Sequence, residues 1–542
     1  MAPVSQFQRE RLVSFAMIAA VFVIILVPEL DYVPIWDGFV YARCAIDAAA
    51  SGLTMESLRC AEHPSQGYAL LLALLQLVRP GSIMLIHLTN VALGVLALGC
   101  FRLVLARAFP ARAHARQLDL LTLACAVHPV LLSTLLQVNV DFGVYAFFFA
   151  SLAAVMYRKF GWAAVAGTFL CFSKETGALA FGLTTGLFAA TEIIGDSGTV
   201  CARLRRFVPS LAILAIPLAL FAGHLAWWNV VQGRSAVWKQ GWQAGTADGF
   251  NFFDLSEPIF LSYAAGIFLL GFSWVLTAIL GADLVVAGVR MARRQPDRDV
   301  PGADRRALAF LTVLTLLLGY LLTSYRTWSN LRYFALLYPL LALLSFAALL
   351  RLGMTGRLRG AVVGVIAGLF LLAAYRSVDP VSRAVYGTFS IGERQMYRMA
   401  SITGEYGGPG RDELVYNLEF TGYHHVQNRL FRVIKPTAQT VIAASQSVNW
   451  NIWSPLDPGS YRRTMAGENV LLPRYADEAE VASDAASIPE LWFLEFSNHL
   501  DTGDPMRPLD RLYREDRIVT VHARGHALRA HHLVRRELSL VP

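Results

Sequence analysis

A group that can take a proton and groups that can hold a phosphate recur along this chain at the ends of apolar runs. The first is Asp37 in "IWDGFVYARC" (35–44), with Tyr41 one helical turn further on and Arg43 beside it. Glu62 and His63 follow in "AEHPSQGY", Asn139 and Asp141 in "LLQVNVD", and Lys174 and Glu175 in "FSKETG". Trp238, Lys239 and Trp242 lie in a polar stretch, and Tyr325, Arg326, Trp328, Arg332 and Tyr333 crowd "SYRTWSNLRY". A carboxylate at such a boundary can act as general base toward a hydroxyl. Lysine and arginine suit a phosphate whose charge grows as it leaves. Asp141, Glu62 and His63 can also hold a divalent cation, although their spacing selects no particular metal.

Plainer readings stand beside these. An Asp ahead of "FGVYAFFF" is a common helix N-cap. Lys174 can pair with Glu175, and Arg326, Arg332 and the tryptophans can be interfacial anchors. His63 can cap the helix that follows it, while His87 and His128 read as packed polar residues. Collective placement favours chemistry, because acids and cations gather on what the topology makes one side.

The chain has 542 residues, 55% of them hydrophobic and 16% charged, with a net charge of +8. Soluble domains are about 25% charged, so the composition points to a polytopic α-helical membrane protein. The positive charge sits in clusters between apolar runs, which encodes topology and gives no sign of nucleic-acid binding. "RLVLARAFPARAHAR", "YRKF", "CARLRRF", "RMARRQPDRD" and "RLGMTGRLRG" are expected inside. The opening run "LVSFAMIAAVFVIILVP" has no small-residue cleavage site after it and reads as a retained span. "GYALLLALLQLV" (67–78) is too short to cross and reads as an interfacial helix.

About eleven spans of about 17 to 25 residues follow, with the N-terminus inside and a large first external loop over 30–80. Residues 1–376 form the expected membrane domain and 377–542 a separate extracytoplasmic α/β domain. In that tail "DELVYNLEF", "QTVIAAS", "ELWFLEF" and "RIVTVHA" read as strands and "YADEAEVASDAAS" as helix. Cys44 and Cys60 are the two cysteines in external segments, and their compartment predicts a disulfide between them.

The order of the motifs resembles the GT-C integral-membrane glycosyltransferases. The acid after span one, "HPSQGYALLLALL", "NVD", "FLCFSKETGALAF" and "LRYFALLYPLLALL" carry the resemblance over roughly residues 10–350. The nearest branch holds the protein O-mannosyltransferases and the bacterial enzymes that decorate lipid A, including the lipid A aminoarabinose transferases. That resemblance implies a sugar donor on a polyprenyl phosphate, an acceptor hydroxyl on a glycan, lipid or protein, and a site on the outer face of a bacterial inner membrane. It implies Asp37 as catalytic base, with Lys174 and Arg332 near the donor phosphate and Asp141 as a supporting acid. Arg326 and Arg43 can add to the phosphate charge, and Tyr41, His63, Glu175, Tyr333 and Trp328 to substrate contacts. Two departures stand out: "HPSQGY" lacks the family's double proline, and Gly38 follows Asp37 where a second acid is usual. Within the class the alternative is a protein O-mannosyltransferase. Outside it the alternative is a lipid or solute transporter, which predicts mid-membrane polar residues and internal repeats.

Overall fold

The computed structural model describes residues 6–30, 34, 37–60, 65–195, 200–230, 258–295, 300–324, 331–376, 379–386, 388–391, 394–397, 426, 429–430, 432–435, 442–444, 488–495, 507–523 and 526–536. Long α-helices dominate the first part. α1 (Gln6–Leu26) is followed by two shorter helices, α2 (Asp37–Ser51) and α3 (Gln66–Gln76), which pack on each other. α4 (Ile83–Ala108) is a full-length apolar helix. α5 (Ala115–Ala126) and α6 (Pro129–Leu136) make one apolar stretch bent by 51°. The bend has a local cause: proline at the start of α6 cannot continue the hydrogen-bond ladder, and it holds His128 in an extended conformation.

α7 (Val140–Met156) is apolar on every side and buried along nearly its whole length, so it forms the centre of the bundle. It packs against α4 and against α8 (Phe160–Cys171). α9 (Glu175–Gly195) and α10 (Val200–Val230) follow. Then come α11 (Pro258–Leu269), α12 (Ser273–Ala292), α13 (Arg305–Ser324), α14 (Leu337–Arg351), α15 (Gly356–Arg376) and the short α16 (Pro380–Tyr386).

Among the described residues six helical lengths are long and apolar enough to cross a membrane, or seven if the bent α5–α6 pair is one span. α7 and α14 are shorter apolar helices of 17 and 15 residues, and α8 has 12. At about 1.5 Å per residue α14 and α8 fall short of the roughly 30 Å hydrocarbon thickness and α7 is at the lower limit, so among the described residues the helices of full spanning length are fewer than the eleven expected. α3, with 11 residues, is likewise too short to span.

Acids meet the basic clusters at one end of the bundle. Arg102 on α4 donates to Asp119 on α5 at 2.6 Å, Arg107 pairs with Asp304, and Arg351 pairs with Asp283 on α12. Asp283 is a buried acid inside an apolar helix, a feature sequence reading passed over, and the fork of Arg351 neutralises it.

At the far end of the chain, β1 (Thr388–Ile391) and β2 (Arg394–Tyr397) form an antiparallel hairpin. β3 (Ile442–Ala444), β4 (Glu490–Glu495), β5 (Tyr513–Ala523) and β6 (His526–Arg535) form a sheet in the order β3-β4-β6-β5, with β3 and β4 parallel and the other pairs antiparallel. Three expected strands are present: "ELWFLEF" as β4, "RIVTVHA" within β5, and the centre of "QTVIAAS" as β3. β4 is an almost unbroken apolar run because both its faces are covered, Trp492 and Leu494 on one and Leu491 and Phe493 on the other. β6 was not foreseen, since "HALRAHHLVR" hides its alternation behind histidine and arginine. "DELVYNLEF" and "YADEAEVASDAAS" lie outside the described residues.

Candidate functional site

The site is built on three turns at the opposite end of the bundle from the basic clusters. The first joins α6 to α7. Val138 there takes a φ of 50°, and the Asn139 side chain accepts from the Asp141 amide at 3.2 Å. Asn139, rather than Asp141, is therefore the N-cap of α7, which corrects the capping reading of Asp141. With the cap supplied elsewhere, the Asp141 carboxylate is left to charged partners. It lies in the positive first turn of α7, where an anion is favoured.

The second turn joins α8 to α9 and carries Lys174. It is tight because Gly177 has no side chain: a Cβ there would stand 2.1 Å from the Leu170 carbonyl oxygen. Lys174 Nζ donates to Asp141 Oδ1 at 2.8 Å and sits 4.0 Å above the centre of the Tyr333 ring. Burial opposes the lysine's charge, but the Asp141 carboxylate and Tyr333 outweigh it and hold the ammonium above its ordinary range.

The third turn is the 3-10 turn Leu331–Phe334. It brings Arg332 Nε to 3.3 Å from Asp141 Oδ2, an ion pair without hydrogen-bond alignment, and stacks the guanidinium 5.6 Å from the same tyrosine ring. Lys174, Asp141 and Arg332 are each no more than 7% exposed. Two cations around one carboxylate leave this cluster net positive.

The acid-bearing segment that opens α2 meets the same turns through its backbone. A Cβ at Gly38 would lie 1.8 Å from the Gln137 carbonyl oxygen and 3.1 Å from Pro34. The start of α2, and with it Asp37 as the first residue, is thus pressed against the chain four residues before Asp141. This explains the glycine where a second acid would be usual: no side chain fits there.

The "SQGY" run has a matching job. Gly67 N–H donates to the Phe172 carbonyl at 2.8 Å, and a Cβ at 67 would approach Phe169 O to 2.8 Å. Tyr68 is fully buried; its hydroxyl donates to Asn90 Oδ1 at 2.8 Å, and Asn90 Nδ2 donates to the Leu135 carbonyl at 2.9 Å. α3 is thereby bolted to the Lys174 turn and, through α4, to α6, the helix that leads into the Asp141 turn. Cys44 and Cys60 are bonded, with Cα atoms 5.4 Å apart, and the Cys60 amide donates to Ser65 Oγ at 2.7 Å just ahead of α3.

Other expected residues fall elsewhere. Arg43 is exposed and pairs with Asp47 at 3.3 Å, one turn along α2, so it is not part of this cluster. Tyr41 is buried in the core, and Glu175 opens α9 next to Lys174. His87 and His128 are buried, His128 against the rings of Tyr338 and Phe370. Glu62, His63, Trp238, Lys239, Trp242, Tyr325, Arg326 and Trp328 lie outside the described residues. Of the three residues expected to be able to hold a metal, Asp141 already faces two cations. Among the described residues no group of three His, Cys, Asp or Glu side chains gathers as a metal site.

An apolar groove of about 610 Å³ begins at Glu175 and Thr176, directly beside Lys174. Leu183, Phe221, Leu225 and Leu322 of α9, α10 and α13 line it.

No protein-family model matches the chain, and no curated protein does. Among solved structures it is similar to the crystal structure of the Archaeoglobus fulgidus oligosaccharyltransferase in its apo form. The identity is 11% and the TM-score 0.41, over 90% of this chain and 69% of that one.

Proposed function

We propose that the protein is an inverting glycosyltransferase acting at the outer face of the membrane it spans, moving a sugar from a polyprenyl-phosphate donor to an acceptor hydroxyl. The observation that carries this reading is the buried Lys174–Asp141–Arg332 cluster, net positive, four residues past the Gln137 carbonyl against which the start of the Asp37 helix is packed.

In this mechanism Asp37 takes the proton of the acceptor hydroxyl. The freed oxygen attacks the anomeric carbon from the face opposite the phosphate. The bond from that carbon to the phosphate oxygen breaks, and its electron pair leaves with the polyprenyl phosphate. A single displacement inverts the anomeric centre. The leaving group is an anion from the outset, so it needs cations more than a general acid; Lys174 and Arg332 supply them from fixed positions. Asp141 keeps both in place, and Tyr333 stacks against both. Asn139 Nδ2, buried and without a partner among the described residues, is one more donor at the same turn. The groove that starts beside Lys174 suits the polyprenyl chain, because its walls are almost wholly apolar.

The test uses the purified full chain and a polyprenyl-phosphate-linked sugar, measuring sugar transfer and donor binding separately. Asp37→Asn should lower transfer by about 100-fold or more while donor binding survives. Lys174→Gln and Arg332→Gln should weaken both. Near wild-type transfer by Asp37→Asn would remove the base from the mechanism. Mass spectrometry of envelope lipids, glycans and proteins from a deletion strain would identify sugar and acceptor.

A further inference from the structure

A charged cavity of about 500 Å³ lies at the other end of the same helices. Arg107 near the end of α4, Arg158 just past α7, Glu192 near the end of α9 and Arg306 at the start of α13 line it. Since Asp141 lies in the first turn of α7, Lys174 stands just before α9 and α13 ends ahead of Arg332, this cavity is separated from the Asp141 cluster by the length of the bundle.

Its charges do not cancel. Three guanidiniums face one carboxylate. Arg158 pairs with Glu192, and Arg107 pairs with Asp304 at the N-cap of α13. The exposed Arg306 guanidinium has no partner among the described residues. Arg158 also sits at a φ of 55°, left-handed backbone in which glycine would be unstrained.

Apart from Thr191, the rest of the lining is apolar and includes Met156, Phe188, Phe310 and Ile194. Ile194 is 80% exposed, and Trp162 on the neighbouring α8 is 72% exposed, so the surrounding surface has the character of one that meets hydrocarbon. A ligand that satisfies both parts carries a phosphate anion at one end and an apolar chain at the other. A free phosphate or nucleotide would use the arginines and leave the apolar wall bare.

We infer that this cavity binds the phosphate headgroup of an anionic glycerophospholipid between α4, α7, α9 and α13. Arg306 and Arg158 grip the phosphate, while Phe310 and Ile194 lie along the start of the acyl chains. Basic pockets between membrane helices are a recurring mode of headgroup recognition. The proposal is independent of the transferase reading, since no residue of the Asp141 cluster contributes to it.

Native mass spectrometry of the full chain, released from nanodiscs of mixed phosphatidylglycerol and phosphatidylcholine, would test it. The wild type should retain phosphatidylglycerol in preference to phosphatidylcholine. Each arginine removed should lower that retention about fivefold, the factor equivalent to ~1 kcal/mol per basic residue at an anionic headgroup. Arg306→Gln and the Arg158→Gln/Arg306→Gln pair should therefore fall in steps, with Arg79→Gln, a surface arginine between α3 and α4, as unchanged control. Glu192→Gln frees Arg158 and removes the opposing charge, so it should raise retention, an effect that damage to the fold would not produce. Equal retention by wild type and the double variant, or no gain with Glu192→Gln, would overturn the proposal. Full displacement of the lipid by millimolar inorganic phosphate would assign the site to a soluble anion instead and overturn the lipid as its occupant.

Discussion

Asp141 sits between Lys174 and Arg332 in a place too dry for water to replace it, so its substitution has two consequences. Asp141→Asn leaves two buried cations without their counter-charge and should cost about 3–5 kcal/mol of stability, as breaking a buried pair does. The midpoint of thermal unfolding in detergent measures this. In the double variant Asp141→Asn/Lys174→Met the loss should be smaller than the sum of the single losses, because the two groups are in direct contact. An additive result would mean that the contact contributes no coupling. Lys174 itself should not shape a pH–rate profile between neutral and mildly alkaline conditions. Its pKa is raised, so whatever it stabilises is fully present below the ordinary lysine value and is lost only as pH rises through the higher folded one. Gly38→Ala tests the close approach of α2 to Gln137. Its Cβ collides with backbone, which cannot rotate away, so α2 must shift. Overpacking of this kind costs about 1–3 kcal/mol. On the proposed mechanism a displacement near 1 Å would cost transfer about 100-fold.

Elements in this protein are held at their junctions by single polar side chains. Asp379, 1% exposed, lies just before α16 and accepts from the backbone amides of Phe272, Val381 and Ser382, from Trp274 Nε1 and from the Ser382 hydroxyl. It thereby ties the kink between α11 and α12, where Gly271 and Phe272 have φ of 60° and 67°, to the start of α16. Asp379→Ala strands those donors and should cost about 3 kcal/mol, the range for lost hydrogen bonds to a charged group. Asp379→Asn keeps the shape and part of the acceptor capacity, so it should cost less. Equal losses in both variants would show that charge matters more than bond count. At the other junction, Cys44→Ser together with Cys60→Ser opens the loop that leads into α3. The chain-entropy estimate for a loop of this length is about 3 kcal/mol, read as a lower unfolding midpoint that reductant reproduces in the wild type.

For the whole molecule, the orientation in the membrane decides whether the Asp141 cluster faces the compartment the mechanism requires. In a variant lacking Cys100, Cys125, Cys171 and Cys201, single cysteines at exposed positions report it. Arg79→Cys, expected outside, should react with an impermeant thiol reagent in intact spheroplasts, and Arg357→Cys, expected inside, only after lysis. The reverse pattern would put the cluster inside and end the outer-face proposal. The sheet of β3 to β6 has one face, with Trp492, Leu494 and Leu528, inside the same continuous apolar cluster as the helices, while Leu491, Phe493 and Leu533 form a smaller core of their own.

The sequence by itself determined where the apolar segments lie, which segment is too short to cross, and where the polar residues interrupt them. Those properties are local: hydropathy over about 20 residues and the charge of the adjoining turn are read within one window. It also placed Lys174, Asp141 and Arg332 at segment ends. Only the tertiary structure decided that Lys174 and Arg332 meet at the Asp141 carboxylate while Arg43, expected to add to the same phosphate charge, pairs with its own helix at Asp47. The partner of a charge depends on which turns packing brings together, and α7, α9 and the 331–334 turn are far apart in sequence. The same holds for Gly38, Gly67 and Gly177, whose missing side chains let backbones touch. A glycine beside a polar motif hints at such an approach, but the atom it makes room for belongs to another element.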